Sequence, residues 1–181
     1  MVLAAPPRTK ALANTVVVFL TTPPAAASGI PTLAEVNAAL FAQCHLYTEF
    51  EAVPNQGSGA GPRPICEESS ETEFGQTTYE PVELQYSYMP QELGTPGAAG
   101  NEVYEALEPG TYLTAVVLHG VYGKTDTLAA GDIADVFRVE PGKRRKGRTG
   151  DGEFDKKAVT QAVRIVGGGP VVEDHPLATA A

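Results

Sequence analysis

The chain has 181 residues, enough for one domain with a buried core. Its 13 Lys and Arg residues stand against 22 Asp and Glu residues, and the net charge of −9 argues against a nucleic-acid reader held by phosphate contacts. Gly (19) and Pro (15) together make up about 19% of the 181 residues, above their usual combined share of about 12%. This excess predicts many turns and disfavours a helix-rich doubly wound enzyme.

The N-terminal region has the outline of a secretory signal, in which two cations precede an apolar run and small residues follow it. Asn14 interrupts that run and two prolines follow it at 23 and 24. The β-branched residues within 15–20 predict a strand instead, and residues 1–14 are interpreted as an N-terminal arm. No run approaches the roughly 20 apolar residues of a membrane span.

Thr32 and Glu35 have the spacing of a capping box, which satisfies free amides at a helix start. Leu33, Val36 and Leu40 then fall on one face of a helix. The pattern predicts a short helix of about ten residues.

The next three segments are predicted as a strand at residues 44–50, a long Gly- and Pro-rich loop at 51–64, and a polar edge strand at 65–74. A loop of this length inside a compact domain is usually functional or mobile.

The clearest alternation lies at residues 81–88 and predicts a strand. A Gly-rich loop at 94–100 and a short helix at 102–107, capped by Asn101, follow it. Strands are then predicted at the positions 111–119, 133–140 and 158–166, with a basic loop at 143–148 between the last two.

These patterns predict one mostly β domain at residues 15–167. It is a β-sandwich or small barrel of about seven strands with one or two short flanking helices, long loops and terminal arms. Residues 168–181 are interpreted as a C-terminal tail because they are rich in Gly, Pro and Ala.

No enzyme motif is present in the sequence: it has no GxSxG, no HExxH and no phosphate-binding loop. Cys44 and Cys66 do not make a disulfide framework, and they are expected to be reduced, half-buried thiols. The cysteines and histidines lack metal-ligand spacing, so neither a metal nor a cofactor is predicted.

Two charged groups are the candidate contact residues. The acidic group is Glu67, Glu68, Glu71 and Glu73, and the basic group is Lys143, Arg144, Arg145, Lys146 and Arg148. The acidic group could pair carboxylates for catalysis or bind a cation, but a solvated acidic strand is the simpler interpretation. The basic group is either a solvated loop or a loop that docks on the acidic run of a neighbouring subunit.

Three tyrosines could form a ligand platform, namely Tyr79, Tyr86 and Tyr88. Their spacing near period two makes core aromatic residues the better interpretation.

The order of these elements resembles that of the major tail tube proteins of long-tailed (siphovirus-type) bacteriophages, particularly those of actinobacterial hosts. The segments that carry the resemblance are residues 65–75, 84–88, 101–107, 129–132 and 136–140, the last leading into the basic group. The resemblance covers roughly residues 30–168 and rests on structural motifs, since the family has no catalytic signature.

The resemblance implies a non-enzymatic virion protein of the phage tail, assembled in the host cytoplasm. Six copies would form a homo-hexameric ring, and rings would stack into a tube through which DNA passes without specific binding. Tape-measure and terminator proteins would be its partners, and no membrane would be involved. A chain with a charge of −9 fits this role if part of the charge faces the lumen and repels DNA.

Three other classes remain open at this point. The chain could be another phage structural protein, such as a tail terminator or capsid decoration protein. It could be a ligand-binding β-sandwich, although the absence of Trp disfavours a carbohydrate site. A small hydrolase is disfavoured because no nucleophile–base pair is visible.

Overall fold

The computed structural model describes residues 14–61, 72–92, 100–121, 127–150, 153, 156–167 and 169–178. Within these residues the chain forms nine strands and two α-helices. The strands are β1 (Thr15–Leu20), β2 (Leu40–Phe41), β3 (Pro54–Ala60), β4 (Thr72–Tyr79), β5 (Val82–Ser87), β6 (Leu113–His119), β7 (Ile133–Arg148), β8 (Lys157–Ile165) and β9 (Val172–Pro176). The helices are α1 (Leu33–Asn37) and α2 (Glu102–Ala106), and Pro90–Glu92 form a 3-10 turn.

Seven of the strands form one antiparallel sheet in the order β2-β1-β6-β7-β8-β5, with β9 paired to β7. β3 and β4 form a separate two-stranded sheet. The predicted mostly β fold with two short helices is confirmed, with nine strands in the described residues rather than about seven. Four of the predicted strands appear at nearly their predicted positions, as β1, β5, β6 and β8.

Both faces of the central strands are buried, which explains why β1 and β6 are almost continuously apolar. Val17 and Val117 face one core, which β5, β8 and α2 also line because the sheet curls. Val16 and Val116 face a second core, which α1 covers. The curled sheet therefore forms a half-barrel with a small layer packed on its outer face.

The capping box at the start of α1 is confirmed. The Glu35 backbone N–H donates to Thr32 Oγ1 (3.4 Å), and the Thr32 N–H donates to the Glu35 carboxylate (2.7 Å). The hydrogen bond from the Thr32 backbone lowers the pKa of Glu35. The helix has five residues rather than about ten, because Leu40–Phe41 leave it to pair with β1 as β2.

The predicted strand at residues 44–50 is wrong. The chain turns after Ala42, whose carbonyl accepts from the N–H groups of His45 and Leu46, and Cys44 in this turn is exposed rather than half-buried. The following residues line the outer edge of β5, where the Tyr47 N–H donates to the Gln85 carbonyl (2.7 Å). The apolar side chains that suggested a strand instead anchor this segment in the core, as Phe50 does against Phe137.

The predicted loop at residues 51–64 is also wrong in its centre, which forms strand β3. Its glycines are tolerated there because pairing with β4 supplies the backbone hydrogen bonds. Glu67, Glu68 and Glu71 lie outside the described residues, so the predicted strand at 65–74 is seen only where β4 begins at Thr72.

α2 confirms the helix predicted at 102–107, but Asn101 does not cap it. The buried Asn101 side chain accepts from the Met89 N–H (2.9 Å) and donates to the Met89 carbonyl (3.0 Å). Asn101 thus ties the start of α2 to the end of β5.

Residues 168–181, predicted as a C-terminal tail, contribute strand β9 to the main sheet.

A buried amide joins four elements. Gln161 on β8 is 1% exposed, and its Nε2 donates to the carbonyls of Leu107 (3.1 Å) and Gly142 (2.7 Å). Its Oε1 accepts from the Tyr86 hydroxyl (2.6 Å). Burial raises the pKa of Tyr86 to about 12. Tyr86 and Tyr88 are buried, which confirms the interpretation of these two tyrosines as core residues, whereas Tyr79 is half-buried and packs against the edge of that core.

Replacing Tyr86→Phe should remove the donor to Gln161 and cost roughly 1–3 kcal/mol of unfolding free energy at pH 8. In the unfolded chain this hydroxyl ionises near pH 10, but in the folded chain only near 12. The stabilisation that the raised pKa adds to the unfolding free energy is therefore complete below pH 10. It is lost as the pH rises towards 12, by at most about 1.4 kcal/mol per pH unit.

Urea unfolding of both proteins at pH 8, 10 and 11 measures this effect. The stability difference between wild type and Tyr86→Phe should shrink across that range. Tyr112→Phe, at an exposed position, is the control and should stay within about 0.5 kcal/mol of wild type. A difference that is the same at all three pH values would contradict the role given to the Tyr86 hydroxyl.

Candidate assembly surface

The β3–β4 hairpin, called the hairpin arm below, projects from the half-barrel. All side chains described on β3 are exposed, and on β4 only Thr77 and Tyr79 are half-buried. Tyr79 anchors the base, where its hydroxyl reaches Glu173 (3.5 Å) and the Glu80 N–H donates to the Val53 carbonyl. A two-stranded hairpin with so little packing is marginally stable alone, so this element has the character of an interaction arm.

The hairpin arm also exposes backbone and one large aromatic side chain. In the described residues each of its strands is paired on one side only, which leaves unpaired N–H and C=O groups along both edges. Phe74 is 75% exposed, although it is the one large apolar side chain in residues 67–78. The sequence interpretation missed Phe74, and the available signal was a lone aromatic residue in a polar run.

The basic group lies on a strand and not in the predicted loop. Residues 144–148 pair with β8, from Arg144 opposite Gln161 to Arg148 opposite Lys157. The connection between the strands comes later, where the Thr149 N–H donates to the Lys156 carbonyl (3.0 Å). The glycines at 142 and 147 suggested a loop, but the first lies in a β-bulge and the second is paired in the ladder.

Arg144 turns inward at this bulge and contacts α2. Its guanidinium lies 3.9 Å from the centroid of the Tyr104 ring, and its Nη2 donates to the carbonyls of Leu107 (2.9 Å) and Tyr104. These bonds satisfy carbonyls at the C-terminal end of α2, where a cation is favourable. Arg144 therefore holds the domain together internally, unlike the other cations of its group.

The remaining members of the basic group are exposed: Lys143, Arg145, Lys146 and Arg148. The Lys146 ammonium lies 5.0 Å from the Tyr88 ring centroid, and a hydrogen bond to the Tyr88 hydroxyl raises the pKa of Lys146. Of the acidic group, Glu73 is described and is exposed on β4. The structure of one chain does not bring the two groups together in its described residues.

Next to the basic group lies an apolar groove of about 440 Å³, called the lysine groove below. Its principal lining residues are Tyr47, Tyr88, Met89, Lys156 and Lys157. Tyr47 is 39% exposed and Met89 is 47% exposed, and the Lys156 ammonium lies 6.0 Å from the Tyr47 ring centroid. The groove therefore combines open apolar walls with a cationic rim, and none of its described lining residues is a carboxylate.

A second cavity, of about 340 Å³, lies at the base of the hairpin arm. Four carboxylates line it: Glu49, Glu51, Asp135 and Glu173. Burial, followed by the charge of Glu173, raises the pKa of Tyr79, so this phenol stays protonated beside the carboxylates. The cavity is a strongly negative surface at neutral pH.

In the described part of the chain, no group of three or more His, Cys, Asp or Glu side chains is arranged to hold a metal ion. No helix among the described residues is long and apolar enough to cross a membrane.

A search of curated proteins finds no match to the chain. In contrast, the sequence model of one family, described as phage tail tube protein, matches residues 3–179. The match takes in the half-barrel, the hairpin arm and β9, and it extends beyond residues 30–168 at both ends. Together with the β-rich fold and the exposed arm, this near-complete match shows that the chain belongs to the phage tail tube protein family.

Proposed function

We propose that the protein forms homo-hexameric rings that stack into the tail tube through which phage DNA is ejected. Membership of the tail tube family supports a structural role in the virion tail. The observation that carries the assembly proposal is the hairpin arm, whose exposed strands and aromatic side chain have little to pack against in the described part of their own chain. Contact with another copy supplies the missing partner.

Charge supports contact between copies. Residues 54–79, which contain the hairpin arm, carry Arg63 and four glutamates, so their net charge is −3. Residues 143–157 carry seven Lys and Arg residues and three acidic residues, a net charge of +4. These oppositely charged parts attract each other across an interface between identical subunits, where a head-to-tail arrangement brings unlike surfaces together.

Electron microscopy of the purified protein in negative stain tests the proposal. Long hollow tubes with sixfold end views are expected. Single rings that never stack would favour a tail terminator, and monomers that decorate capsids would favour a decoration protein. A protein that remains monomeric at all concentrations would contradict assembly into a tube.

The hairpin arm should become more protected when tubes form. In the monomer its amide hydrogens exchange quickly because the strands are exposed, whereas in the tube we expect at least about tenfold slower exchange. Hydrogen exchange with mass spectrometry measures both states. Amides of the buried strand β6 serve as the internal control, and equal protection of the arm in monomer and tube would count against its role.

The exposed members of the basic group should matter for assembly but not for folding. Reversing charge with Arg145→Glu, alone or with Lys143→Glu, is expected to lower tube yield severalfold while the monomer melts as wild type does. Adding salt should weaken wild-type polymerisation, since exposed charges are screened within about 10 Å at 0.1 M. Tube yield by sedimentation is the readout.

Two further variants make this test specific. Arg164→Glu changes the charge equally but breaks only a surface ion pair with Glu140, so tube yield should be retained. Arg144→Glu should destabilise the monomer itself, because it places a carboxylate against the Tyr104 and Leu107 carbonyls. If the double variant Arg145→Glu and Lys143→Glu gives an unchanged tube yield, the basic group is not part of the interface.

A further inference from the structure

We propose that Phe74 of one copy inserts into the lysine groove of a neighbouring copy. This inference rests on the proposed function, since it requires self-assembly, and it names the residues that make one of the contacts. It commits the groove to a single occupant, the aromatic side chain on the hairpin arm of a second copy.

The described part of its own chain does not account for Phe74. It lies five residues from Tyr79 at the base of the arm, which is roughly 17 Å along an extended strand. Its ring is 75% exposed, so nothing described in the same chain covers it. A Phe side chain has 150–250 Å² of surface to bury, and such residues are common anchors at the centre of interfaces.

The lysine groove suits such an anchor in both volume and charge. Its volume of about 440 Å³ is in the range of pockets that hold small organic groups. Tyr47, Tyr88 and Met89 offer two rings and a thioether, which make favourable contacts with an aromatic ring. Lys156 and Lys157, which also line the groove, supply cations that suit the π face of Phe74.

A second groove, of about 310 Å³, is the alternative binding site for Phe74 and is called the Tyr112 groove below. Pro23, Tyr112 and Arg138 are among its lining residues. Its described lining carries one cation, and that guanidinium already lies 5.0 Å from the Tyr112 ring centroid. The lysine groove has two lysines at its rim and Lys146 nearby, so electrostatics favour it for an arm with net negative charge.

Disulfide trapping tests the contact in assembled tubes. Cys44 and Cys66 are first replaced by Ser, and this parent is checked for tube formation. A Phe74→Cys copy enlarged by a fused tag is then co-assembled with a Met89→Cys copy and oxidised. The expected product on a non-reducing gel is the heterodimer of tagged and untagged chains, whereas pairing with a Tyr112→Cys copy should give little.

Truncation of the side chain supplies a second measurement in the otherwise natural sequence. Phe74→Ala should raise the protein concentration needed for tube formation about tenfold or more, as expected for an interface hot spot. Ile133→Ala removes another exposed apolar side chain and should change that concentration less than about twofold. Melting temperatures of both monomers should match wild type.

The outcomes of these experiments distinguish the docking of Phe74 from the proposed tube function on which it rests. Tubes that form without the Phe74–Met89 cross-link, or that prefer the Tyr112 partner, would overturn the docking of Phe74 in the lysine groove and leave the tube proposal standing. An unchanged assembly threshold for Phe74→Ala would overturn it equally. A wild-type protein that forms no tubes or rings would overturn both.

Discussion

The Gln161 side chain is bonded at both of its polar ends inside the domain, and the positions of the exposed surfaces depend on it. Its amide nitrogen holds the carbonyl at the β7 bulge and the carbonyl that ends α2, while its oxygen receives the Tyr86 hydroxyl. A buried amide left without these partners would cost free energy, so the four elements are fixed together. The bulge in turn sends Arg144 inward and leaves its neighbours on the surface.

Local patterns in the sequence were sufficient wherever one interaction dominates. Continuous apolar runs correctly predicted β1 and β6, and alternation correctly predicted β5. The Thr32–Glu35 pair correctly predicted the start of α1. Each of these depends on burial or on bonds between residues close in the chain. The predicted fold class followed from them.

The remaining elements depend on partners distant in sequence, which a local pattern does not reveal. β3 is composed largely of Gly and polar residues, and it is a strand because β4 pairs with it. The second half of β7 contains two glycines, but β8 keeps it extended. Leu46 and Phe50 looked like strand residues because they are apolar, and that apolarity serves packing instead.

The same limit applies to the candidate assembly surface. The charges of the acidic and basic groups are visible in the sequence, but the inward turn of Arg144 is not, since it requires the bulge and the ring of Tyr104. The lysine groove joins residues 47, 88–89 and 156–157, which no motif connects. The hairpin arm is exposed while the half-barrel is closely packed, so the proposed assembly and the folding of the domain draw on different residues.

The hairpin arm and the lysine groove are unlike surfaces on one chain. In the proposed tube, contacts of this kind between successive rings would give the polymer polarity, because each ring would offer arms in one direction and grooves in the other. The two ends of such a tube would differ chemically: one would terminate in uncovered aromatic arms and the other in vacant cationic grooves. A protein that initiates the proposed tube and a protein that caps it would therefore recognise different chemistry, and growth at the two ends would proceed through different encounters.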